Sequence, residues 1–152
     1  MSNTNLKKYN IYEVGKYFKG QKPEDKNHVV IYEEYIPCME GLSVGNKIML
    51  IFWFNKSDNE EKRSIMKVHP RGNVKIPMRG VFGTHSPVRP NPIALYEVNI
   101  SNIDFEKGII YIEEEIDAFD ETPLIDIKVS ANSLDFEKYG EKVENYDKYG
   151  CK

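Results

Sequence analysis

Residues 78–98 read Met-Arg-Gly-Val-Phe-Gly-Thr-His-Ser-Pro-Val-Arg-Pro-Asn-Pro-Ile-Ala-Leu-Tyr-Glu-Val. Hydroxyl, imidazole, guanidinium and amide groups from Thr84, His85, Ser86, Arg89 and Asn91 are interleaved there with Pro87, Pro90 and Pro92. Each proline fixes its own φ, removes a backbone donor and pushes the preceding residue out of the helical region. The loop is therefore stiff before anything binds. Polar groups on a rigid track suit recognition of a small polar ligand, and packing alone does not account for them.

Two charge runs flank or overlap this loop. Lys67, Arg71, Lys75, Arg79 and Arg89 occur with no Asp or Glu between Lys67 and Asn91, whereas residues 104–126 hold nine acidic residues against Lys107 alone. The net charge of −3 thus conceals a basic face, unless both runs are simply solvated surface. If RNA is bound, the basic strip is the natural phosphate-facing surface. His28, His69 and His85 show no ligand spacing, and Cys38 and Cys151 give neither a disulfide framework nor a zinc set. The chain is expected to hold no metal and to work in a reducing, cytoplasmic setting.

The elements that must position these groups read as strands. Residues 9–18 form a first strand, with Ile11, Val14, Tyr17 and Phe18 among polar neighbours, and residues 28–36 a second. A short helical turn over residues 38–42 precedes the core strand 47–54, whose unbroken apolar run predicts burial on both faces or a partner over the second. Trp53 and Phe54 read as core or dimer packing. Residues 55–63 read as a charged loop and 64–69 as a strand. Residues 93–100 and 109–113 resemble a hairpin, 117–123 a loop and 124–128 a last short strand. About seven short strands with long loops and no sustained helical period predict an all-β barrel or sandwich.

At 152 residues the chain fits one domain, and 40% hydrophobic residues are too many for a disordered one. The longest apolar run, residues 48–54, is far below the about 20 residues of a membrane span, and residues 1–8 lack the apolar stretch of a signal peptide. Glycine-rich dinucleotide and phosphate-loop motifs are absent, as is Gly-x-Ser-x-Gly. Residues 1–133 are expected to be the folded domain and 134–152 a polar, Tyr-rich tail.

The proline loop identifies a relationship. Arg79-Gly-Val-Phe-Gly-Thr-His-Ser-Pro-Val-Arg-Pro-Asn-Pro-Ile93 closely resembles the signature of the TsaA-like (TrmO-like) family, Arg-x-Gly-Val-Phe-Ala-Thr-Arg-Ser-Pro-x-Arg-Pro-Asn-Pro-Ile-Gly. Two more segments agree in type and order. Leu50-Ile-Phe-Trp-Phe-Asn-Lys56 resembles the family's apolar strand ending in Phe-His-x, and Asp120-Glu-Thr-Pro-Leu-Ile-Asp-Ile-Lys128 its Asp-Gly-Thr-Pro-x-x-Asp-Ile-Lys. The resemblance spans residues 9–128 and implies a small single-sheet β-barrel, usually homodimeric. It also implies binding of S-adenosylmethionine and methylation of N6 of threonylcarbamoyl-adenosine beside the tRNA anticodon, with no membrane involved.

Carried over by position, the resemblance places cofactor contacts at Asn55 and Lys56, in the proline loop, at Leu95, and at Asp120, Glu121, Thr122 and Pro123. Within the loop the carried-over position is His85, and Phe82, Thr84, Ser86 and Arg89 around it are further candidate cofactor contacts. Arg79, Asn91, Asp126 and Lys128 fall to the substrate side. By chemistry, Phe82 or Phe119 would cover the adenine, Asp120 or Glu121 would take ribose hydroxyls or the ammonium, and Arg89 or Lys56 the carboxylate. By the resemblance, Arg89 and Asn91 fall rather to holding the loop's shape or facing the substrate. An acceptor N6 must lose its proton, for which His85, Asp126 or a Tyr is a candidate, so no catalytic residue is assigned. His85 stands where the family often has Arg, Asn55 where it has His, Glu121 where it has Gly, and Val129-Ser130 where Pro-Tyr often follows. The same residues also admit a small-molecule methyltransferase or a ligand-sensing module without turnover.

Overall fold

The apolar run after Lys47 becomes β3 (Lys47–Trp53), and its side chains alternate rather than disappear on both faces. Ile48, Leu50 and Phe52 are fully buried, while Met49, Ile51 and Trp53 are half-buried on the outside. This is the period-2 geometry of a strand with one face on a core. The computed structural model describes residues 5–22 and 24–130.

Five further strands join β3: β1 (Gly15–Phe18), β2 (His28–Ile31), β6 (Ile93–Asp104), β7 (Ile109–Ile112) and β8 (Pro123–Val129). They close in the order β1-β2-β7-β6-β3-β8, with β8 returning to β1 and every pairing antiparallel. A closed sheet leaves no edge to pair with another chain. Its interior holds Tyr17, Val29, Ile48, Leu50, Phe52, Val98, Ile100, Ile110, Ile112 and Leu124. Phe52 meets both Tyr17 and Tyr96 edge to face, with ring centroids 5.8 Å apart in each pair. The β6–β7 turn needs Gly108, whose φ is +72° and whose added Cβ would lie 2.8 Å from the Ile31 carbonyl oxygen.

The expected all-β barrel is present, with corrections. Six strands form the barrel, not about seven. The strand expected over 64–69 shrinks to β4 (Lys67–Val68), which pairs only with β5 (Arg79–Gly80) in a separate two-stranded sheet. The first strand begins at Gly15, because Tyr9, Ile11 and Tyr12 have no core to pack on and stay exposed. The second ends at Ile31, where a 3-10 turn (Glu33–Met39) containing Pro37 replaces both the rest of the strand and the helical turn expected over 38–42. Proline lacks the donor a continuing ladder requires. The supposed loop 55–63 contains a one-turn helix, α1 (Glu60–Arg63). The boundary at residue 133 and the tail 134–152 lie outside the described residues.

Candidate functional site

Strand register brings the three sequence-distant segments to one end of the barrel. Trp53 pairs with Ile93 and Phe52 with Leu124, so β3 finishes where β6 and β8 start. Asn55–Ser57, the proline loop and residues 120–123 are therefore neighbours at that rim. Lys56 makes the contact directly, with Nζ 4.5 Å from the centre of the Phe119 ring.

Local hydrogen bonds shape each segment. In the proline loop, Thr84 Oγ1 donates to the Val81 carbonyl (2.8 Å) and accepts from the Ser86 amide (3.1 Å), and Ser86 Oγ accepts from Val88 (3.3 Å). Arg89 Nη1 donates to the carbonyls of Thr84 (3.0 Å) and Ser86 (3.3 Å). Thr84, Ser86 and Arg89 thus hold the loop's form, which is one of the roles expected of Arg89. His85 is exposed. Phe82 is 83% exposed and lines a cleft of about 320 Å³ with Arg79, Met66, Val81 and Pro90. Phe82 and Met66, which is 60% exposed, give this cleft an apolar lip.

The segment 120–123 is fastened to β1. Glu121 N donates to the Tyr17 carbonyl (2.7 Å) and Tyr17 N to the Thr122 carbonyl (3.0 Å). Asp120 Oδ1 accepts from the Lys19 amide (2.9 Å). Buried Thr122 closes a turn through Oγ1 to the Phe119 carbonyl (2.6 Å), and Pro123 opens β8. Glu121 adopts φ +64°, the left-handed region that favours glycine. That accounts physically for the Gly in the family pattern. Phe119 is 62% exposed beside Lys56.

Acidic side chains stand near the phenols of buried Tyr17 and half-buried Tyr96 at this end of the barrel. The Tyr17 phenol is pushed up to about 12, first by burial and then by Asp120 and Glu115. Tyr96 is raised as well, first by burial and then by Asp117, which accepts its hydroxyl hydrogen bond. Both phenols are protonated at neutral pH; Tyr96 donates to Asp117, whereas the buried Tyr17 hydroxyl has no hydrogen-bond partner among the described residues.

Leu95, Asp126 and Lys128 lie elsewhere, on the outer wall of β6, β3 and β8. Leu95, Ile51 and Asp126 stand abreast in one row, and Glu97, Met49 and Lys128 in the next. Asp126 Oδ1 accepts from its neighbour's amide, Ile127 N, at 2.9 Å.

Sequence reasoning passed over the residues that fasten the proline loop. Arg63 Nε donates to the Pro90 carbonyl (2.7 Å), Nη2 to Asn91 Oδ1 (2.9 Å), and Nη1 pairs with Asp58 (2.8 Å). Its guanidinium lies 5.5 Å from the Trp53 ring centre, and Trp53 Nε1 donates to Asp58 (3.1 Å). The signal was present in Asn59-Glu-Glu-Lys-Arg63. An N-cap Asn, two acids and two bases specify a short helix, and Asn59 Oδ1 does accept from Lys62 N at 2.8 Å. Among the described residues no group of three His, Cys, Asp or Glu could hold a metal, and no helix is long and apolar enough to cross a membrane.

The described residues thus form a closed six-stranded barrel with a proline-stiffened loop and a basic excursion at one end. The chain belongs to the family described as the tRNA-methyltransferase O N-terminal domain, which residues 19–136 match. A probable S-adenosyl-L-methionine-binding protein of Methanocaldococcus jannaschii is 46% identical over 121 residues, 78% of this chain and 94% of the relative. One from Pyrococcus horikoshii, described in the same words, is 46% identical over 124 residues, covering 81% and 83%. The crystal structure of TrmO from Pseudomonas aeruginosa is similar in fold, with a TM-score of 0.58 at 20% identity. That match covers 91% of this chain, which spans 60% of the TrmO chain.

Proposed function

We propose that this chain is an S-adenosylmethionine-dependent methyltransferase acting on N6 of threonylcarbamoyl-adenosine in tRNA, working as a homodimer. The observation that carries the reading is the convergence of Asn55–Ser57, the proline loop and residues 120–123 at one end of the barrel, with Lys56 against Phe119. The family and the descriptions of its relatives supply the cofactor class.

The residues present fit such a ligand. Phe119 and Phe82 offer exposed faces for a purine, and Asp120 keeps one carboxylate oxygen beyond the one that binds Lys19 N. Lys56 supplies a cation for a carboxylate. The acidic mouth formed by Glu115, Asp117 and Asp120 favours a cationic sulfonium. When bound, S-adenosylmethionine supplies a methyl group for in-line displacement, leaving a neutral thioether. The chain's own contribution is alignment, which demands no covalent residue. Arg89 and Arg63 keep the loop wall fixed, while the Tyr17 and Tyr96 phenols stay protonated and leave the acceptor's proton to another base. Exposed Lys67, Arg71, Lys75 and Arg79 on the excursion suit tRNA phosphates. The outer wall of Ile51, Trp53, Ile93 and Leu95 suits a second copy of the chain.

Transfer of labelled methyl from S-adenosylmethionine into threonylcarbamoyl-modified tRNA tests the acceptor. Label recovered in the modified adenosine is expected. Label absent from that tRNA, with the cofactor bound, would contradict the acceptor and leave the cofactor assignment intact.

A further inference from the structure

Closure removes free strand edges only where neighbouring strands match in length, and at the β1–β8 seam they do not. β1 pairs with β8 only through Gly15 with Leu124 and Lys16 with Pro123, whereas β8 runs on to Val129 beside β3. Ser130 N donates to the Lys47 carbonyl (2.9 Å), and the bonding groups of a strand alternate from side to side. Lys128 and Asp126 therefore also bond β3, and the amides of Ile127 and Val129 point to the side where β1 has ended. Asp126 Oδ1 takes the Ile127 amide (2.9 Å), a side chain standing in for the missing strand.

The chain before β1 has the opposite character, with apolar side chains and no surface to cover. Every residue from 5 to 13 is exposed and none lies in a strand or helix, yet the stretch carries Leu6 at 63% exposure, Tyr9 at 78%, Ile11 at 51% and Tyr12 at 72%. This arm leaves the barrel at the seam itself, since Val14 N donates to the Leu124 carbonyl (2.8 Å). It departs on the β2 side, where the Val14 carbonyl accepts from Tyr32 N (3.0 Å) and Glu13 accepts from the Tyr32 hydroxyl (2.5 Å). The arm thus leaves the far half of its own β8 uncovered. Extended, its nine residues reach about 30 Å, enough to run the length of β8 in a neighbouring molecule.

We propose that this arm adds as a strand to the open side of β8 in a second copy of the chain and that the second copy's arm is received in return. The inference rests on the homodimer reading and names the segment that holds the two copies together. Main-chain groups along β8 are satisfied by any added strand, and among the described residues 5–13 make no backbone hydrogen bond of their own. The open side is continuous with the outer wall of β6, β3 and β8 proposed for a second copy, because Asp126 stands abreast of Ile51 and Leu95. Exchange about a two-fold axis makes the same contact twice and closes the assembly. Two tyrosines, a leucine and an isoleucine on each arm, together with the surface they cover, reach the order of 1,200–2,000 Å² buried in stable interfaces. Lys7 and Lys8 give the arm positive charge in a chain whose net charge is −3, so the two copies attract through it.

Sedimentation velocity and amide hydrogen exchange on the full chain test this, comparing the parent with a triple variant, Tyr9→Ser, Ile11→Ser and Tyr12→Ser, whose sites are too exposed to hold the barrel together. The parent should dimerise, with the Ile127 and Val129 amides slow to exchange. The triple variant should dimerise about tenfold or more weakly and exchange those two amides fast, while the Ile48 and Leu50 amides stay as slow as in the parent. A triple variant that dimerises as tightly as the parent overturns the arm's role, and a weaker dimer with both amides still slow overturns β8 as its seat. Slow exchange in a monomeric parent, lost in the triple variant, overturns the second copy as occupant and returns the arm to its own chain. A parent that stays monomeric at millimolar concentration with both amides fast removes the homodimer reading and the exchange together. A dimer indifferent to the arm but broken by Leu95→Asp keeps the homodimer and removes the exchange alone.

Discussion

The barrel interior and the excursion between β3 and β6 are ordered by different physics. Inside, alternation along each strand puts Tyr17, Phe52, Leu50 and Ile100 into one apolar core, where every side chain packs against several others. The excursion, residues 54–92, buries almost nothing. Met66, Val74, Met78 and Phe82 are exposed, and Val81, Ser57 and Pro92 are its buried residues. Its order comes from prolines that remove conformational freedom and from Arg63, which joins Pro90, Asn91, Asp58 and Trp53. The core would be useful to any barrel. The excursion's stiffness instead comes at no gain to the core, which fits the binding role proposed for it.

Substitutions can break this contrast in order of size. Phe52→Ala should have the largest effect, lowering stability by about 3–5 kcal/mol in urea unfolding, because it empties the centre of the aromatic cluster. Arg63→Ala should cost about 1–3 kcal/mol while weakening ligand binding disproportionately, since it releases the loop and not the core. An Arg63→Ala protein as unstable as Phe52→Ala would erase the distinction. Glu121→Gly should stabilise by about 1 kcal/mol, read as a higher urea midpoint, by relieving the left-handed backbone.

The smallest effect concerns pH. Hydrogen bonding to Arg63 lowers the Asp58 carboxyl below its ordinary value. The clasp's contribution is therefore complete above the unfolded carboxylate range near pH 4 and is lost as pH falls through the lowered value. Both partners are more than one-third exposed, so screening keeps the contribution small. Urea midpoints of the parent and Asp58→Asn should converge at low pH. A constant gap between them down to about pH 2 would contradict the assignment.

Much of this was legible in the residues because strands announce themselves locally. The pattern in 47–53 and the β-branched run at 93–100 specify strands whichever partners they find. Barrel closure and the number of strands depend on register between distant segments, which local pattern does not contain. The strand expected over 64–69 had the right residue types, but α1 caps at Ser64 and Lys67–Val68 finds its partner only in Arg79–Gly80. At the site, the proline loop and residues 120–123 could be picked out as segments, whereas the Arg63 clasp needed three dimensions. Its partners lie 5, 27 and 28 positions away in sequence. Glu121 illustrates the reverse case, where a departure from a pattern became intelligible only once its φ of +64° was known.

The central claim is that three segments build one S-adenosylmethionine site at one end of the barrel. Calorimetric titration of the cofactor into the parent chain and into Lys56→Ala, Arg89→Ala and Asp120→Ala tests it most directly, with one variant drawn from each segment. The account predicts saturable binding by the parent and an affinity about tenfold or more weaker in every variant, with urea midpoints well above that of Phe52→Ala. No binding by the parent at millimolar cofactor, or parent-like affinity in all three variants, would contradict it.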